Sequence, residues 1–120
     1  MKIFKRFSFS NVGAGYIHVA DVTTNCPTTI SARISVTTSF NAPSVIAYLK
    51  FDPISGSDKS IGRQVTSADG YAYPMSNGGG QDNIYTEVNG EILVRLVEDT
   101  VTPTQGEAIV MIEVETLPIS

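Results

Sequence analysis

The stretch that decides the fold is Thr28-Thr-Ile-Ser-Ala-Arg-Ile-Ser-Val-Thr-Thr-Ser-Phe40, in which apolar and polar residues alternate. Successive side chains of a β-strand point to opposite faces, so a period of two separates a buried face from a solvated one. The pattern therefore predicts a long strand with one buried side. The residues expected on that side are Ile30, Ala32, Ile34, Val36, Thr38 and Phe40.

Similar runs occur along the rest of the chain and predict further strands. Their expected bounds are Ile3–Phe9, Tyr16–Val22, Val45–Phe51, Ile61–Thr66, Ile84–Val88, Glu91–Glu98 and Glu107–Leu117. Asn89-Gly90 is typical of a tight hairpin turn, and Asp69–Asp82, with its Gly78-Gly79-Gly80 triplet, is predicted to be a long irregular loop. Gly or Pro interrupts each long run, which disfavours helices. We therefore expect an all-β fold, in which residues 1–120 form a single-domain antiparallel β-sandwich, a jelly roll of about eight strands.

The composition indicates a globular domain with few charges, since 42% of the 120 residues are hydrophobic and only 17% are charged. A net charge of −4 disfavours a nucleic-acid partner. The charge is uneven, because residues 1–63 carry a net +4 and residues 64–120 a net −8. Two explanations stay open. A basic N-terminal strand pairs with an acidic C-terminal strand inside the fold, or subunits contact one another head to tail.

The location of the protein is predicted from three further features of the sequence. No apolar run reaches 18 residues, so no membrane partner is expected. The basic start, Met1–Arg6, is followed by no apolar stretch of the kind found in signal peptides. Cys26 is the single cysteine, which precludes an internal disulfide and fits assembly in a reducing cytoplasm. We expect Cys26 to be a small buried residue.

The sequence contains no clear catalytic motif. His18 is the only histidine, no serine lies in a Gly-x-Ser-x-Gly elbow, and His18 is expected to be a structural or surface residue. A zinc site would need carboxylates for most of its ligands. Calcium ligands at Asp52 and Asp58, or at Asp69 and Asp82, lack the spacing of an EF-hand. The sequence therefore predicts no enzyme activity, no cofactor and no metal.

Tyr71 and Tyr73 lie in the predicted glycine-flanked loop and allow two interpretations. Aromatic side chains there could stack on a sugar or fill a pocket of a partner, as aromatic residues do at interface hot spots. They could equally pack on their own sheet. The sequence does not decide between these alternatives.

Two segments resemble small bacteriophage virion proteins. Ile34-Ser-Val-Thr-Thr-Ser-Phe-Asn41 is similar to their strand that ends in a V-x-T-x-F-N turn, and Val45–Phe51 to the strand that follows. Gly106-Glu-Ala-Ile-Val-Met-Ile-Glu-Val-Glu115 resembles their closing strand, G-x-A-x-V-x-I-x-(Y/V). Such β domains occur as capsid decoration or cement proteins and as knobs of tail fibres.

The resemblance implies a structural, non-catalytic role in a phage particle that is assembled in the host cytoplasm. The expected function is capsid decoration, in which the domain bridges and stabilises neighbouring copies of the major capsid protein and forms trimers with itself. The alternative is a receptor-binding or carbohydrate-binding module, with Tyr71, Tyr73, Asn77 and Asp82 around a shallow glycan site. The residues expected to contact protein partners are Lys2, Lys5, Arg6, Tyr71, Tyr73, Pro74 and Asn77.

Overall fold

The computed structural model describes nine β-strands and one 3₁₀ helix, Phe9–Asn11. The residues that it describes are 2–24, 28–42, 45–54, 59–66, 72–75, 83–85, 88–98 and 101–116. The strands are β1 (Lys2–Ser8), β2 (Ile17–Thr24), β3 (Thr28–Thr38), β4 (Val45–Pro53), β5 (Lys59–Thr66), β6 (Ala72–Met75), β7 (Asn83–Tyr85), β8 (Val88–Val97) and β9 (Glu107–Thr116). Within these ranges, no helix has the length and apolar character that a membrane span requires.

The strands form two antiparallel sheets, which confirms the predicted all-β class. The first sheet has the order β1-β9-β3-β6, with β7 also paired to β3, and the second has the order β2-β8-β4-β5. The pairs are nested along the chain: β4 with β5, β3 with β6 and β7, β2 with β8, and β1 with β9. Successive nested pairs alternate between the two sheets.

A shared hydrophobic core lies between the sheets, and β3 contributes to it as its alternation predicts. Ile30, Ala32, Ile34 and Val36 are buried in one cluster with residues of the second sheet such as Phe51. The prediction is wrong at Thr38, which is exposed at the end of β3. The pairing of β3 with β9 shifts register between Val36 and Thr38, and this breaks the alternation there. Phe40 lies beyond the strand but still packs against the core.

Two segments that were predicted to be turn or loop are strands. Asn89-Gly90 lies inside β8, where Gly90 pairs with Val22 on one side and Pro53 on the other. Residues 72–75 of the predicted loop form β6, which pairs with β3. Among the described strands β3 is the one neighbour of β6, and proline is tolerated at such an edge position. Of the predicted strand Ile84–Val88, Ile84 and Tyr85 belong to β7, and Val88 begins β8.

Asn41 joins the segment after β3 to the segment before β9. Its Oδ1 accepts the backbone N–H groups of Thr104 and Gln105 at 2.8 and 3.0 Å, and its Nδ2 donates to Thr104 Oγ1 at 2.8 Å. The terminal residue of the V-x-T-x-F-N segment therefore has a defined structural role. The hydrogen bonds of Asn41 hold the chain in place where it leaves the first sheet after β3.

We expect Asn41→Ala to lower the free energy of unfolding by about 1–2 kcal/mol, because three hydrogen bonds are lost. Asn41→Asp is the matched control, since its carboxylate still accepts both backbone N–H groups and only the donated bond is lost. Asn41→Asp should lower the free energy of unfolding clearly less than Asn41→Ala does, as measured by urea denaturation. Equal losses in the two variants would show that the accepted bonds contribute nothing to stability.

Candidate functional site

Strand β1, which contains the predicted basic contact residues, has one face on the core and one face in solvent. Ile3 and Phe7 pack against the hydrophobic core. Lys2, Phe4 and Arg6 alternate with them and are exposed, and we call these three residues the β1 face. Phe4 is 64% exposed. The β1 face thus places a large aromatic ring between two basic side chains.

Lys5 affects which part of β1 can contact another protein, its edge or its exposed face. In the alternation of the strand, Lys5 falls on the same side of β1 as Ile3 and Phe7, but it is exposed. Strand β1 pairs with β9 alone among the described strands, so its second edge has no strand beside it there. An inward-pointing charge on an edge strand opposes the addition of a further strand. The β1 face is therefore better suited than the β1 edge to contact with a partner.

The basic charge of β1 lies beside the acidic charge of β9. Arg6 Nη1 and Glu107 Oε1 form an ion pair at 3.0 Å, and Thr37 Oγ1 donates to the same Glu107 oxygen at 3.0 Å. Lys2 stands opposite Glu113 in the register of the two strands. The predicted charge pairing inside the fold is thus confirmed. The exposed Arg6–Glu107 pair contributes only about 0.2–1 kcal/mol to stability.

The described members of the second group of predicted contact residues lie on the other side of the first sheet from β1. Tyr73 and Pro74 belong to β6, where they stand opposite Ile34 and Arg33 in the register with β3. Strands β9 and β3 separate β6 from β1, so the two predicted contact regions are not brought together. The predictions for Cys26, Asp58, Asp69, Tyr71, Asn77 and Asp82 lie outside the described residues.

The outer face of the second sheet carries a stacked row of aromatic and basic side chains, which the sequence reading missed. The Arg95 guanidinium carbon lies 4.9 Å from the ring centroids of both Tyr16 and Tyr48. Lys50 Nζ lies 4.1 Å from the Tyr16 centroid. Cation–π contacts at partly exposed positions contribute about 0.5–1 kcal/mol each. The available signal was that Tyr48 and Lys50 alternate with the buried Ala47, Leu49 and Phe51, which places both on one face of β4.

His18 is a half-exposed residue of the same outer face. Its Nδ1 lies 3.0 Å from Glu91 Oε2, and its Nε2 lies 3.8 Å from Asp21 Oδ1. His18 and Asp21 are exposed and Glu91 is partly exposed. His18 was predicted to be a structural or surface residue, and its exposed side chain agrees with the second of these. Its approach to two carboxylates was not predicted.

Comparison with known proteins gives no family for this chain. No protein-family model matches it, and no match is found among the curated proteins. A solved structure, "Structure of infectious bursal disease virus Gx strain", is similar over 93% of this chain and 31% of its own, with 14% sequence identity and a TM-score of 0.38.

Proposed function

We propose that the chain is a structural protein of a phage particle, a capsid decoration protein that bridges and stabilises neighbouring capsid subunits. In this proposal residues 1–120 form one β-sandwich domain without catalytic activity. Its partners are the major capsid protein and two further copies of itself. The observation that supports the proposal most directly is the β1 face, because an exposed aromatic ring flanked by basic groups is suited to a protein interface.

The strand order supports a jelly roll as the scaffold of this domain. A jelly roll is a nested ribbon of antiparallel pairs, wound so that successive pairs fall in opposite sheets. The pairing of β1 with β9, β2 with β8, β3 with β6 and β4 with β5 follows that scheme. Jelly rolls are frequent in viral capsid and lectin domains. Because one fold serves many functions, the argument for a contact role rests on the surface.

The charges of the β1 face indicate what kind of partner surface would bind to it. Arg6 is already paired with Glu107, whereas Lys2 and Lys5 are exposed side chains. A partner patch with an apolar pocket for Phe4 and a few acidic groups at its rim would complement this arrangement. An interface of about 800 Å² per partner is enough for specific binding. Repetition over a shell would increase the overall avidity.

The proposal is tested by co-sedimentation with shells of the encoding virus from which this protein has been removed. We expect Phe4→Ala to weaken shell binding by about tenfold or more, because a central aromatic anchor typically contributes more than about 1–2 kcal/mol. Ile54→Ala is the matched control, since Ile54 is also a large exposed apolar residue, 84% exposed, but lies directly after β4. It should leave binding unchanged.

Each outcome of this experiment has a defined meaning. Equal binding by wild type and Phe4→Ala would show that the β1 face is not the contact. Failure of the wild type to bind shells, with selective binding on a glycan array, would support the carbohydrate-binding alternative. Sedimentation equilibrium of the free protein gives the oligomeric state, and a monomer at high concentration would contradict the trimer.

A further inference from the structure

We propose that His18, Asp21 and Glu91 bind a divalent first-row transition-metal ion. The proposal does not depend on the proposed function. One potential ligand atom from each residue can be chosen so that all three lie within 4.8 Å of one another. His18 Nδ1 and Glu91 Oε2 lie 3.0 Å apart, within hydrogen-bond distance. Metal–ligand bonds of about 2.0–2.2 Å place two ligand atoms of one ion about 3–3.5 Å apart. The nitrogen and oxygen atoms of this pair already have that spacing.

A β-bulge brings His18 and Asp21 to one face of the sheet. In a regular strand, residues three apart point to opposite faces. The register of β2 against β8 shifts between His18 and Ala20, which inserts one extra residue at Val19. His18 and Asp21 consequently share the outer face with Glu91, which stands directly opposite Asp21. Bulges re-aim side chains in this way and are common next to functional sites.

The electrostatics of the neighbourhood favour a cation. Glu91 stands opposite Asp21 on β2 and opposite Asp52 on β4. Three carboxylates therefore form a row across three adjacent strands, and like charges at directly opposed positions destabilise a sheet. A divalent ion beside Glu91 offsets this repulsion. Asp52 is not a ligand in the proposal, but its charge adds to the local negative potential.

The donor set indicates which ions bind. One imidazole nitrogen and two carboxylates suit first-row transition ions such as Zn²⁺. Ca²⁺ and Mg²⁺ prefer oxygen ligands throughout and gain little from His18. The exposure of the three side chains leaves the remaining coordination positions to water. Asp21 Oδ1 lies 3.8 Å from Nε2, whereas Glu91 lies beside Nδ1, so binding at Nδ1 requires the exposed Asp21 side chain to rotate toward that nitrogen.

The proposal is tested by isothermal titration of tag-free protein with ZnCl₂, beside MgCl₂ and CaCl₂. We expect saturable binding of one Zn²⁺ per chain and a Zn²⁺-dependent rise in the thermal unfolding midpoint. His18→Ala and Glu91→Gln should each weaken Zn²⁺ binding by about tenfold or more, since even outer-sphere changes around metals cost about 10–100-fold. The His18 side chain is exposed and that of Glu91 partly exposed, so folding should persist and is checked by circular dichroism.

Two matched controls separate this site from other zinc-binding groups. Asp52→Asn removes a neighbouring carboxylate that is not a ligand, so it should keep the stoichiometry and weaken binding less than the ligand variants do. Cys26→Ser removes the single thiol and should leave Zn²⁺ binding unchanged. The proposal is overturned if wild type shows no saturable Zn²⁺ binding at millimolar metal, or if His18→Ala binds as wild type does. Loss of binding in Cys26→Ser, or Ca²⁺ binding as tight as that of Zn²⁺, would overturn it as well.

Discussion

Replacing Gly90 with alanine is expected to lower the free energy of unfolding by about 3 kcal/mol, at the upper end of overpacking substitutions. Gly90 lies in β8 between β2 and β4. A Cβ atom at this position would overlap the carbonyl oxygen of Asp52 and lie 2.7 Å from the Cα of Pro53. Both contacts are with backbone, so no side-chain rotation relieves them. Urea denaturation of wild type and Gly90→Ala measures the loss.

Asn89→Ala is the control for this experiment. Asn89 is exposed, and its backbone carbonyl still accepts the N–H of Ile54 at 2.8 Å after the change. We expect it to alter stability by less than about 0.5 kcal/mol, as surface substitutions usually do. In a tight Asn-Gly turn, by contrast, both residues adopt a positive φ and both replacements are costly. Similar losses for the two variants would therefore contradict the position of Asn89-Gly90 inside β8.

Phe7→Ala is expected to lower the free energy of unfolding by about 3–5 kcal/mol. Phe7 is 1% exposed and packs in the core that the two sheets share. Truncation of a buried phenylalanine removes its transfer free energy and leaves a cavity that the surrounding side chains fill only in part. The loss should appear as a lower urea midpoint with an unchanged slope.

Phe4→Ala is the matched control, because it is the same substitution in the same strand. Phe4 stands on the β1 face and loses few packing contacts, so we expect a change below about 0.5 kcal/mol. The pair separates stability from recognition, since Phe4→Ala should impair shell binding and Phe7→Ala should impair folding. A large loss of stability in Phe4→Ala would indicate that this ring belongs to the core of the fold.

The class of fold could be predicted because β3, β4 and β9 each bury one face in a regular alternation. Ile30 to Val36 alternate strictly with polar residues, and the structure buries the apolar set. The same holds for Ala108, Val110, Ile112 and Val114 in β9. Where a strand is buried on one face, its apolar positions repeat at a period of two, and the sequence alone contains that information.

Segments governed by long-range contacts could not be predicted from local signals. Asn89-Gly90 has the composition of a turn, but its glycine is required by the close approach of Asp52 and Pro53 on β4. Tyr73 and Pro74 also read as loop, and pairing with β3 makes their segment a strand. In both cases a partner more than 35 residues away in sequence determines the conformation.

The candidate sites were predicted in part, for a related reason. The basic residues of β1 were recognisable by type, and their pairing with acidic β9 follows from the charge difference between the halves of the chain. His18 was predicted to be a structural or surface residue, but a regular strand places Asp21 on the opposite face from it. The bulge at Val19 brings Asp21 to the same face as His18. A bulge depends on pairing with the partner strand, so the sequence pattern of β2 alone does not indicate it.

The nested order of the strands has a consequence for synthesis on the ribosome. Arg6 and Glu107 are joined although 101 residues separate them. Strand β9 is the one described partner of β1, so β1 has no paired strand among those described until the last of them emerges, whereas β3 can pair earlier with β6 and β7. Such distant pairings fold slowly, in milliseconds to seconds. Strand β1 therefore stays unpaired throughout translation, and chaperone occupancy at this strand should fall only after residue 116 has left the exit tunnel.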